Sequence, residues 1–191
     1  MKVEVRELAI PDVKLVTPDV FEDDRGFFVE LFRRDVHEAA GLPVLYPQVN
    51  LSRSRQGVIR GLHFQWDPPM GKLMRVAYGR AFIVAVDIRP GSPTLGRWVG
   101  EILDDGRPTA MWAPAGFARG FAALAERTDV EYLCTGTYNG AAESGLRFDD
   151  ERIGVAWPVT EPVVSQKDRT AQTLDEWLRR PEAQHFAVAT P

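Results

Sequence analysis

The sequence contains only one cysteine among its 191 residues. A lone Cys134 excludes a framework of disulfide bonds within the chain, and such a residue is most simply a small buried side chain. Long apolar runs are also missing, because no segment approaches the ~20 apolar residues that span a bilayer. Charges occur at every second or third position of the first stretch, MKVEVRELAI. We therefore expect a soluble, cytoplasmic protein with no membrane partner.

An excess of basic residues is missing as well. The formal net charge of -4 gives no electrostatic reason to expect nucleic-acid binding, although a local basic pocket for a small anionic ligand is compatible with it. With 45% hydrophobic and 26% charged residues, the composition suits one globular domain. We predict a single domain over residues 1–191, in which about residues 168–191 form a C-terminal helical segment and tail.

Helical periodicity is scarce, whereas short β-rich runs recur along the chain. Gly, Pro, Asp and Asn separate these runs, which include GFFVELF, LMRVAYG, AFIVAVDI and VEYLCTGTY. Many short strands at spacings of about 8–12 residues are typical of an all-β sandwich, barrel or jelly roll. Two segments predict short helices, near residues 33–40 and 168–180, and the second carries a stripe of Leu174, Trp177 and Leu178.

Polar residues interrupt the apolar stretch GVIRGLHFQWDPPMGKLMRV, among them Arg60, His63 and Lys72. A histidine in a strand is by default a satisfied core or surface residue, so His63 alone does not establish chemistry. Strict alternation over residues 57–65 would put Arg60 and His63 on opposite faces of the strand. Either a bulge near Gly61 brings the two side chains together, or they serve separate parts of a site.

Histidines are too few for the usual metal site of a jelly roll. That site needs a His-x-His pair with a following carboxylate, and a third histidine in a later Pro-x-Gly-x-x-His turn. Here Phe and Gln follow His63, and the later turn, PAGFARG, has Arg119 where the last ligand would stand. His37 and His185 fall in helical or tail segments, where we expect them to be solvated. We therefore predict no bound metal.

Seven motifs occur in series along most of the chain: DDRGFFVELF, PQVNLSRSRQGVIRGLHFQ, KLMRV, VAVDIRPGSPTLGRWVG, PAGFARGF, GLRFDDERIGVAWP and SQKDR. In order and approximate spacing they resemble the dTDP-4-dehydrorhamnose 3,5-epimerase family, from about Phe21 to Arg169. Several motifs in series are far more specific than any one of them. The resemblance implies a metal-free, homodimeric jelly roll of cupin type that needs no cofactor and acts on a dTDP-linked 4-keto-6-deoxyhexose.

The resemblance also implies catalytic roles for four residues. An epimerase needs a base on one face of the carbon beside a ketone, stabilisation of the enolate oxygen, and an acid on the other face. By resemblance His63 is the base, Asp168 orients its ring, Lys72 lies near the developing oxyanion and Tyr132 returns a proton. On the residues alone each has a plainer reading: Lys72 as an edge lysine, Tyr132 as a core tyrosine, and Asp168 as a helix cap.

A nucleotide-linked sugar further needs arginine forks for its diphosphate and an aromatic platform for its base. The residues that the resemblance assigns to substrate binding are Arg25, Phe28, Glu30, Gln48, Asn50, Arg60, Arg119 and Tyr138. The first three belong to an N-terminal segment that would reach the site of a partner subunit, and Tyr138 would stack on the base. On the residues alone, Arg25 could instead anchor a turn with Asp24, and Phe28 could be core.

The chain departs from the family pattern at three positions. Arg119 replaces a pocket histidine, Ile83 replaces a carboxylate near the pocket lysine, and Leu133 stands where a lysine is common. Losing an acid beside Lys72 while gaining a fixed cation makes the pocket more positive. We therefore expect the pKa of Lys72 to be lowered.

These observations predict an isomerase that epimerises a dTDP-linked 4-keto-6-deoxyhexose at C3, C5 or both, in deoxysugar biosynthesis. The changes at positions 83 and 119 leave two alternatives: an epimerase that acts at one carbon or on another 4-keto sugar, and a protein that binds a dTDP-sugar with altered or lost turnover. A ketoisomerase is a third reading, but the motifs are closer to the epimerases. The presence of His63, Tyr132 and Asp168 favours catalysis, since a pure binder has no need of an oriented base.

Overall fold

The computed structural model describes residues 2–188, so the last three residues of the predicted tail lie outside the described part. Fourteen strands and a few short helices make up the described part. The strands are β1 (Val3–Glu7), β2 (Lys14–Pro18), β3 (Val20–Asp23), β4 (Gly26–Val29), β5 (Gln48–Arg55), β6 (Val58–Gln65), β7 (Lys72–Tyr78), β8 (Arg80–Asp87), β9 (Trp98–Asp104), β10 (Ala110–Ala113), β11 (Phe117–Ala123), β12 (Arg127–Cys134), β13 (Glu143–Gly145) and β14 (Val163–Val164). The helices are α1 (Arg34–Ala39), α2 (Gln166–Arg169), α3 (Leu174–Leu178) and a 3₁₀ helix (Pro181–Phe186).

Two sheets form the body of the fold, and the prediction of an all-β jelly roll is confirmed. The first sheet has the strand order β1-β2-β10-β7-β12-β5. The second has the order β13-β6-β11-β8-β9, with β14 paired to β6. The neighbouring strands are antiparallel apart from the β14–β6 pair. A separate hairpin, β3–β4, extends from the body as a two-stranded sheet.

Strand β8 shows why the second sheet is buried on both faces. Ala81, Ile83 and Ala85 join the apolar cluster between the two sheets. The alternate residues, Phe82 and Val84, join a cluster on the far side, against the C-terminal helices. A strand covered on both faces reads as a continuous apolar run, which is what AFIVAV is. A third cluster packs α1 and the segment after it against the outer face of the first sheet.

The predicted helix near residues 33–40 is confirmed as α1, but the one predicted near residues 168–180 is divided into α2 and α3. The backbone carbonyl of Gln172 accepts a hydrogen bond from the Arg147 N–H at 2.9 Å, which is incompatible with a continuous helix there. Thr173 then caps α3 in a reciprocal arrangement with Glu176. Ser165 caps α2, so Asp168 is not the cap of either helix.

Two of the sequence predictions for single residues are confirmed and one is wrong. Cys134 is buried and His185 is exposed, as predicted. His37, which we expected to be solvated, is instead fully buried. Its ring packs edge-on against Phe32 with 4.7 Å between ring centroids, and burial lowers its pKa. A short helix buries one side, and His37 is the residue of α1 on that side. Across residues 2–188, no helix has the length and apolarity that crossing a membrane requires.

Candidate active site

A concave site opens between the two sheets, where side chains of six strands converge. It consists of two adjoining hollows, with cavity volumes of about 130 and 150 Å³, that share His63, Lys72 and Tyr132. The other residues of the first hollow are Ser52, Arg60, Met74, Arg119, Gly120 and Phe121. The other residues of the second are Gln48, Asn50, Phe64, Gln65, Met70, Cys134, Tyr138 and Glu143.

A β-bulge at Gly61 determines which side chains of β6 reach the site. In the ladder with β11, Arg119 pairs with His63 and Phe121 pairs with Arg60, so two residues of β6 lie opposite one of β11. The extra residue reverses the alternation, and Arg60 and His63 therefore share one face. Of the two arrangements left open by the sequence, the bulge is the one observed. Both side chains line the first hollow.

The imidazole of His63 is held by a carboxylate from the far end of the chain. His63 Nε2 and Asp168 Oδ1 are 2.7 Å apart, and Asp168 is buried. Burial opposes ionisation of Asp168, but hydrogen bonds from His63 and from the Gly61 N–H outweigh it, so its pKa is lowered. An ionised carboxylate can only accept, so Nε2 carries the proton and Nδ1 has a free lone pair. The pair thus forms an oriented base.

Tyr132 and Lys72 stand on the opposite wall, because they come from β12 and β7 of the first sheet. The Lys72 ammonium lies 5.1 Å from the centre of the Tyr132 ring. Burial raises the pKa of the Tyr132 hydroxyl, which keeps it protonated and able to act as an acid. Burial, with a smaller contribution from the Arg119 charge, lowers the pKa of Lys72 to about 8. The predicted direction is confirmed, although burial is the larger cause.

Arg119 is a buried cation at the back of the first hollow. Its Nη1 donates hydrogen bonds to three backbone carbonyls, those of Met70 at 2.8 Å, Pro114 at 3.2 Å and Ala113 at 3.3 Å. Because these carbonyls lie at the ends of β7 and β10, the side chain crosses from the second sheet to the first. Burial lowers the pKa of Arg119 to about 10, so the guanidinium stays charged at neutral pH.

Three of the residues predicted to bind substrate form the rim of the second hollow. The Gln48 side chain donates to Asn50 Oδ1 at 3.1 Å and accepts from the Tyr138 N–H at 2.7 Å. Gln65, buried on β6, donates to the Thr137 carbonyl at 3.0 Å and so fixes the same loop from below. The Tyr138 ring is left exposed at the rim, where a flat base could stack on it.

Arg60 is fixed near the mouth of the first hollow. Its Nε donates to Ser54 Oγ at 3.0 Å, and its Nη2 donates to the Arg53 carbonyl at 3.2 Å. The residue is otherwise exposed to solvent. A guanidinium with donors left free at the mouth of a hollow is suited to a phosphate group.

Arg25, Phe28 and Glu30 do not line these hollows; they belong to the hairpin β3–β4 and the residue that follows it. Arg25 is bonded to Asp23, rather than to Asp24, with 3.1 Å from Nε to Oδ1. Phe28 is 64% exposed, so it is not core. Glu30 accepts a hydrogen bond from Arg33 at 3.4 Å. All three side chains therefore point to solvent or to neighbours outside the site.

The residues that depart from the family pattern, at positions 83 and 133, lie in different places relative to the site. Ile83 is fully buried between the sheets and pairs with Phe121, two positions along β11 from Arg119. It therefore lies on the same face as Arg119. Leu133 packs against the apolar cluster on the outer face of the first sheet, away from its neighbour Tyr132. The change at position 133 thus leaves the site untouched.

Glu143 is a residue of the site that the sequence did not reveal. It lines the second hollow, and its carboxylate accepts a hydrogen bond from Lys167 at 2.6 Å. It arrives there because β13 pairs with β6, with Glu143 opposite Gln65. A three-residue strand in the stretch AAESGLRF carries no periodicity that would identify it beforehand. Over residues 2–188, no group of three or more histidine, cysteine or carboxylate side chains could hold a metal ion.

Comparison with known proteins gives one consistent family. A model of the dTDP-4-dehydrorhamnose 3,5-epimerase family matches residues 7–176. A dTDP-4-dehydrorhamnose 3,5-epimerase from Pseudomonas aeruginosa is 46% identical over 169 residues, which cover 87% of this chain and 93% of the relative. A dTDP-4-dehydrorhamnose 3-epimerase from Streptomyces niveus is 38% identical over 174 residues, covering 90% and 84% of the two chains.

A solved structure has nearly the same backbone. The dTDP-6-deoxy-D-glucose-3,5-epimerase of Legionella pneumophila, crystallised in complex with dTDP-4-keto-L-rhamnose, superimposes with a TM-score of 0.90. It is 39% identical, and the match covers 95% of this chain and 96% of that one.

Proposed function

This chain belongs to the dTDP-4-dehydrorhamnose 3,5-epimerase family and is an epimerase of nucleotide-linked deoxysugars, and from that premise we propose how its residues divide the work. The substrate is a dTDP-linked 4-keto-6-deoxyhexose, which the chain epimerises beside the carbonyl. The observation that carries the proposal is the His63–Asp168 pair, 2.7 Å apart, on one wall of a hollow whose other wall holds Tyr132.

His63 is the base. Its Nδ1 lone pair takes the proton from carbon, the C–H electron pair enters a new C–C double bond, and the carbonyl π electrons move to oxygen. Asp168 stabilises the imidazolium that forms, since its carboxylate already accepts from Nε2. Because Asp168 holds the His63 ring in one orientation, the ring can take the proton from one direction only. No redox change occurs, so no cofactor enters the proposal.

Tyr132 is the acid. It projects from the first sheet, whereas His63 projects from the second, so a sugar between the walls meets them on opposite faces. Delivery of the hydroxyl proton to the far face of the enolate forms the new C–H bond and inverts the stereocentre. The raised pKa of Tyr132 favours the protonated form that this step needs. The tyrosinate then takes a proton from solvent, and the His63 imidazolium releases its proton to solvent, so that both groups return to their starting states.

The nucleotide occupies the outer part of the site. Arg60 binds the diphosphate, Gln48 and Asn50 supply amide groups, and Tyr138 stacks on the base. The exposure of Arg60 and Tyr138 at the two mouths supports this division, because the charged and aromatic ends of a dTDP group would both meet free side chains. The described residues that line both hollows come from the same two sheets, which supports a single catalytic domain.

We further propose a homodimer in which the hairpin β3–β4 reaches the partner's site. Phe27 and Phe28 are 59% and 64% exposed, and the outward residues of β5, Val49 and Leu51, are exposed as well. Exposed apolar side chains beside an edge strand mark an interaction surface. Arg25 at the tip of the hairpin would then add a cation to the partner's diphosphate site.

Solvent exchange tests the reaction directly. When the protein is incubated with dTDP-4-keto-6-deoxyglucose in deuterated water, NMR should show deuterium entering beside the carbonyl. His63→Ala should lower the exchange rate by about 100-fold or more while dTDP affinity is nearly unchanged, because the base acts on the sugar. His185→Ala, which changes an exposed histidine, is the matched control and should exchange at the normal rate. Equal loss of exchange and dTDP binding in His63→Ala would point to a structural histidine.

The same spectra decide between one and two carbons. The 46% identity to a 3,5-epimerase exceeds the 38% identity to a 3-epimerase. The joint change at Ile83 and Arg119 instead supports an enzyme that acts at one carbon only. In that case label should enter at C3 or at C5 but not at both. Equal labelling at C3 and C5 would contradict the one-carbon version and leave the double epimerisation.

A further inference from the structure

Arg119 carries a positive charge that its surroundings do not neutralise. The residue is 3% exposed, and only its Nη1 is bonded, to the three backbone carbonyls. Within residues 2–188, the Nε and Nη2 atoms have no hydrogen-bond partner. Burying charged donors without partners costs free energy, and such groups are usually explained by function.

The carboxylates nearest the site are engaged elsewhere. Asp168 is bonded to the imidazole, and Glu143 is bonded to a lysine at the rim. Position 83 lies on the same face as Arg119 and is an isoleucine, so the ladder offers no acid there. In the described part of the chain, the guanidinium therefore has no carboxylate partner, and it stands in the same hollow as Lys72.

The backbone register puts this charge beside the base. Arg119 lies directly opposite His63 in the β11–β6 ladder. Paired residues on one face of an antiparallel ladder have Cβ atoms about 5 Å apart. Arg119 and Lys72 both line the hollow that His63 lines, so two cations surround the space that a sugar carbonyl beside the imidazole would occupy. Negative charge develops on that oxygen when the carbon loses its proton.

We propose that Arg119 stabilises the enolate electrostatically, as a permanent charge enclosed at the back of the hollow, with Lys72 as a second cation in the same hollow. The inference rests on the proposed epimerase function. As the C–H bond breaks and the proton moves to His63, the electron pair ends on an oxygen that already faces a permanent charge. Burial lowers the pKa of Lys72 to about 8 but that of Arg119 only to about 10, so Arg119 keeps its charge where Lys72 has lost its own.

Four variants test the assignment in the deuterium-exchange assay. Arg119→Gln should slow exchange by about 100-fold with dTDP affinity unchanged, because it removes a charge that stabilises the developing oxyanion. Arg119→Lys, which keeps the charge and can still bond the carbonyls, should recover most of the rate. Lys72→Met should keep measurable exchange, and the double variant Lys72→Met/Arg119→Gln should fall to the level of His63→Ala. Arg80→Gln, on an exposed arginine at the start of β8, is the control.

The pH profile separates a catalytic charge from a structural brace. The native protein should retain a plateau of exchange above pH 8, because Arg119 remains charged after Lys72 is neutral. Arg119→Gln should lose that plateau. Removing the like charge should also raise the pKa of Lys72, so the alkaline fall in the exchange rate should occur at a higher pH. Unchanged exchange in Arg119→Gln, or equal losses in the Gln and Lys variants, would overturn the inference. Absence of any exchange in the native protein would instead contradict the proposed function.

Discussion

The hollow between the sheets and the hairpin β3–β4 both carry residues of one predicted site, yet they are built differently. In the hollow, His63 is fixed by Asp168 and Arg60 by Ser54, so the side chains are oriented before any ligand arrives. In the hairpin, Phe28 is largely exposed and Arg25 bonds only to a neighbour two residues away. The hollow is preorganised by its own chain, whereas most side chains of the hairpin are exposed.

The two regions therefore suit two different tasks, proton transfer in the hollow and substrate binding by the hairpin. Proton transfer requires fixed geometry, which sheets provide, because each ladder sets the position of a side chain to a fraction of an ångström. Recognition by an arm needs length and exposed contact groups, which a two-stranded hairpin provides. Changes at the proton-transferring residues of the hollow should therefore lower the rate of the chemical step, and changes in the hairpin should weaken only binding.

The largest expected effect comes from Asp168→Asn. The Gly61 N–H already points to one carboxylate oxygen at 3.4 Å, so the amide oxygen of Asn would take that donor and its NH₂ would face His63. The imidazole would then carry its proton on Nδ1, where the lone pair is needed. We expect the exchange rate to fall by about 100-fold or more with dTDP affinity unchanged.

Asp149→Asn, which alters an exposed aspartate in a surface pair with Arg147, is the matched control for this variant. Thermal melts of both proteins should agree with the native one within a few degrees. A normal exchange rate in Asp168→Asn would mean that the carboxylate is not what orients the ring, and the preorganisation of the hollow would lose its main support.

Arg60→Ala should have an intermediate effect, on binding and not on chemistry. A charge-assisted hydrogen bond to a phosphate contributes about 1.5–3 kcal/mol, so calorimetry should show dTDP binding weakened by that amount. The exchange rate at saturating substrate should change little. Arg179→Ala, an exposed arginine on the C-terminal segment, is the control. Unchanged dTDP affinity in Arg60→Ala would contradict the diphosphate assignment.

The sequence was enough for the class of fold and for most of the hollow. Period-2 runs indicated the strands, and the family motifs identified His63, Asp168, Lys72 and Tyr132, all of which meet in space. The bulge at Gly61 could only be named as one of two options. An extra residue in a ladder depends on the register with the neighbouring strand, and one sequence does not contain that register.

The features that the sequence did not predict have the same origin. His37 was expected in solvent because a short helix shows too few turns to reveal which face is covered. The division between α2 and α3 follows from a backbone bond between Gln172 and Arg147, which are distant in sequence. Glu143 reaches the site through strand pairing alone. In each case a tertiary contact, which local pattern does not encode, decided the outcome.

The smallest expected effect concerns the hairpin, and it tests the comparison most directly. The double variant Arg25→Ala/Phe28→Ala should raise the KM about 10-fold, the loss of one exposed cation and one aromatic contact, with little change in kcat. If the hairpin serves the partner's site, mixing this variant with His63→Ala should raise the rate measured at substrate concentrations well below KM, because one site of each mixed dimer has both an intact base and an intact hairpin. At random assortment, about a quarter of all sites would be complete.

A mixture of His63→Ala with Asp168→Asn is the control, since both lesions lie in one hollow and no mixed site would have a complete pair. That mixture should leave the low residual rates unchanged. Recovery in the first mixture alone would mean that the hairpin acts across a subunit boundary. Lack of recovery, with mixed dimers demonstrated by mass spectrometry, would assign the hairpin to its own chain's site. Because Phe27 and Phe28 are exposed, the hairpin would then have to close over its own hollow when substrate binds.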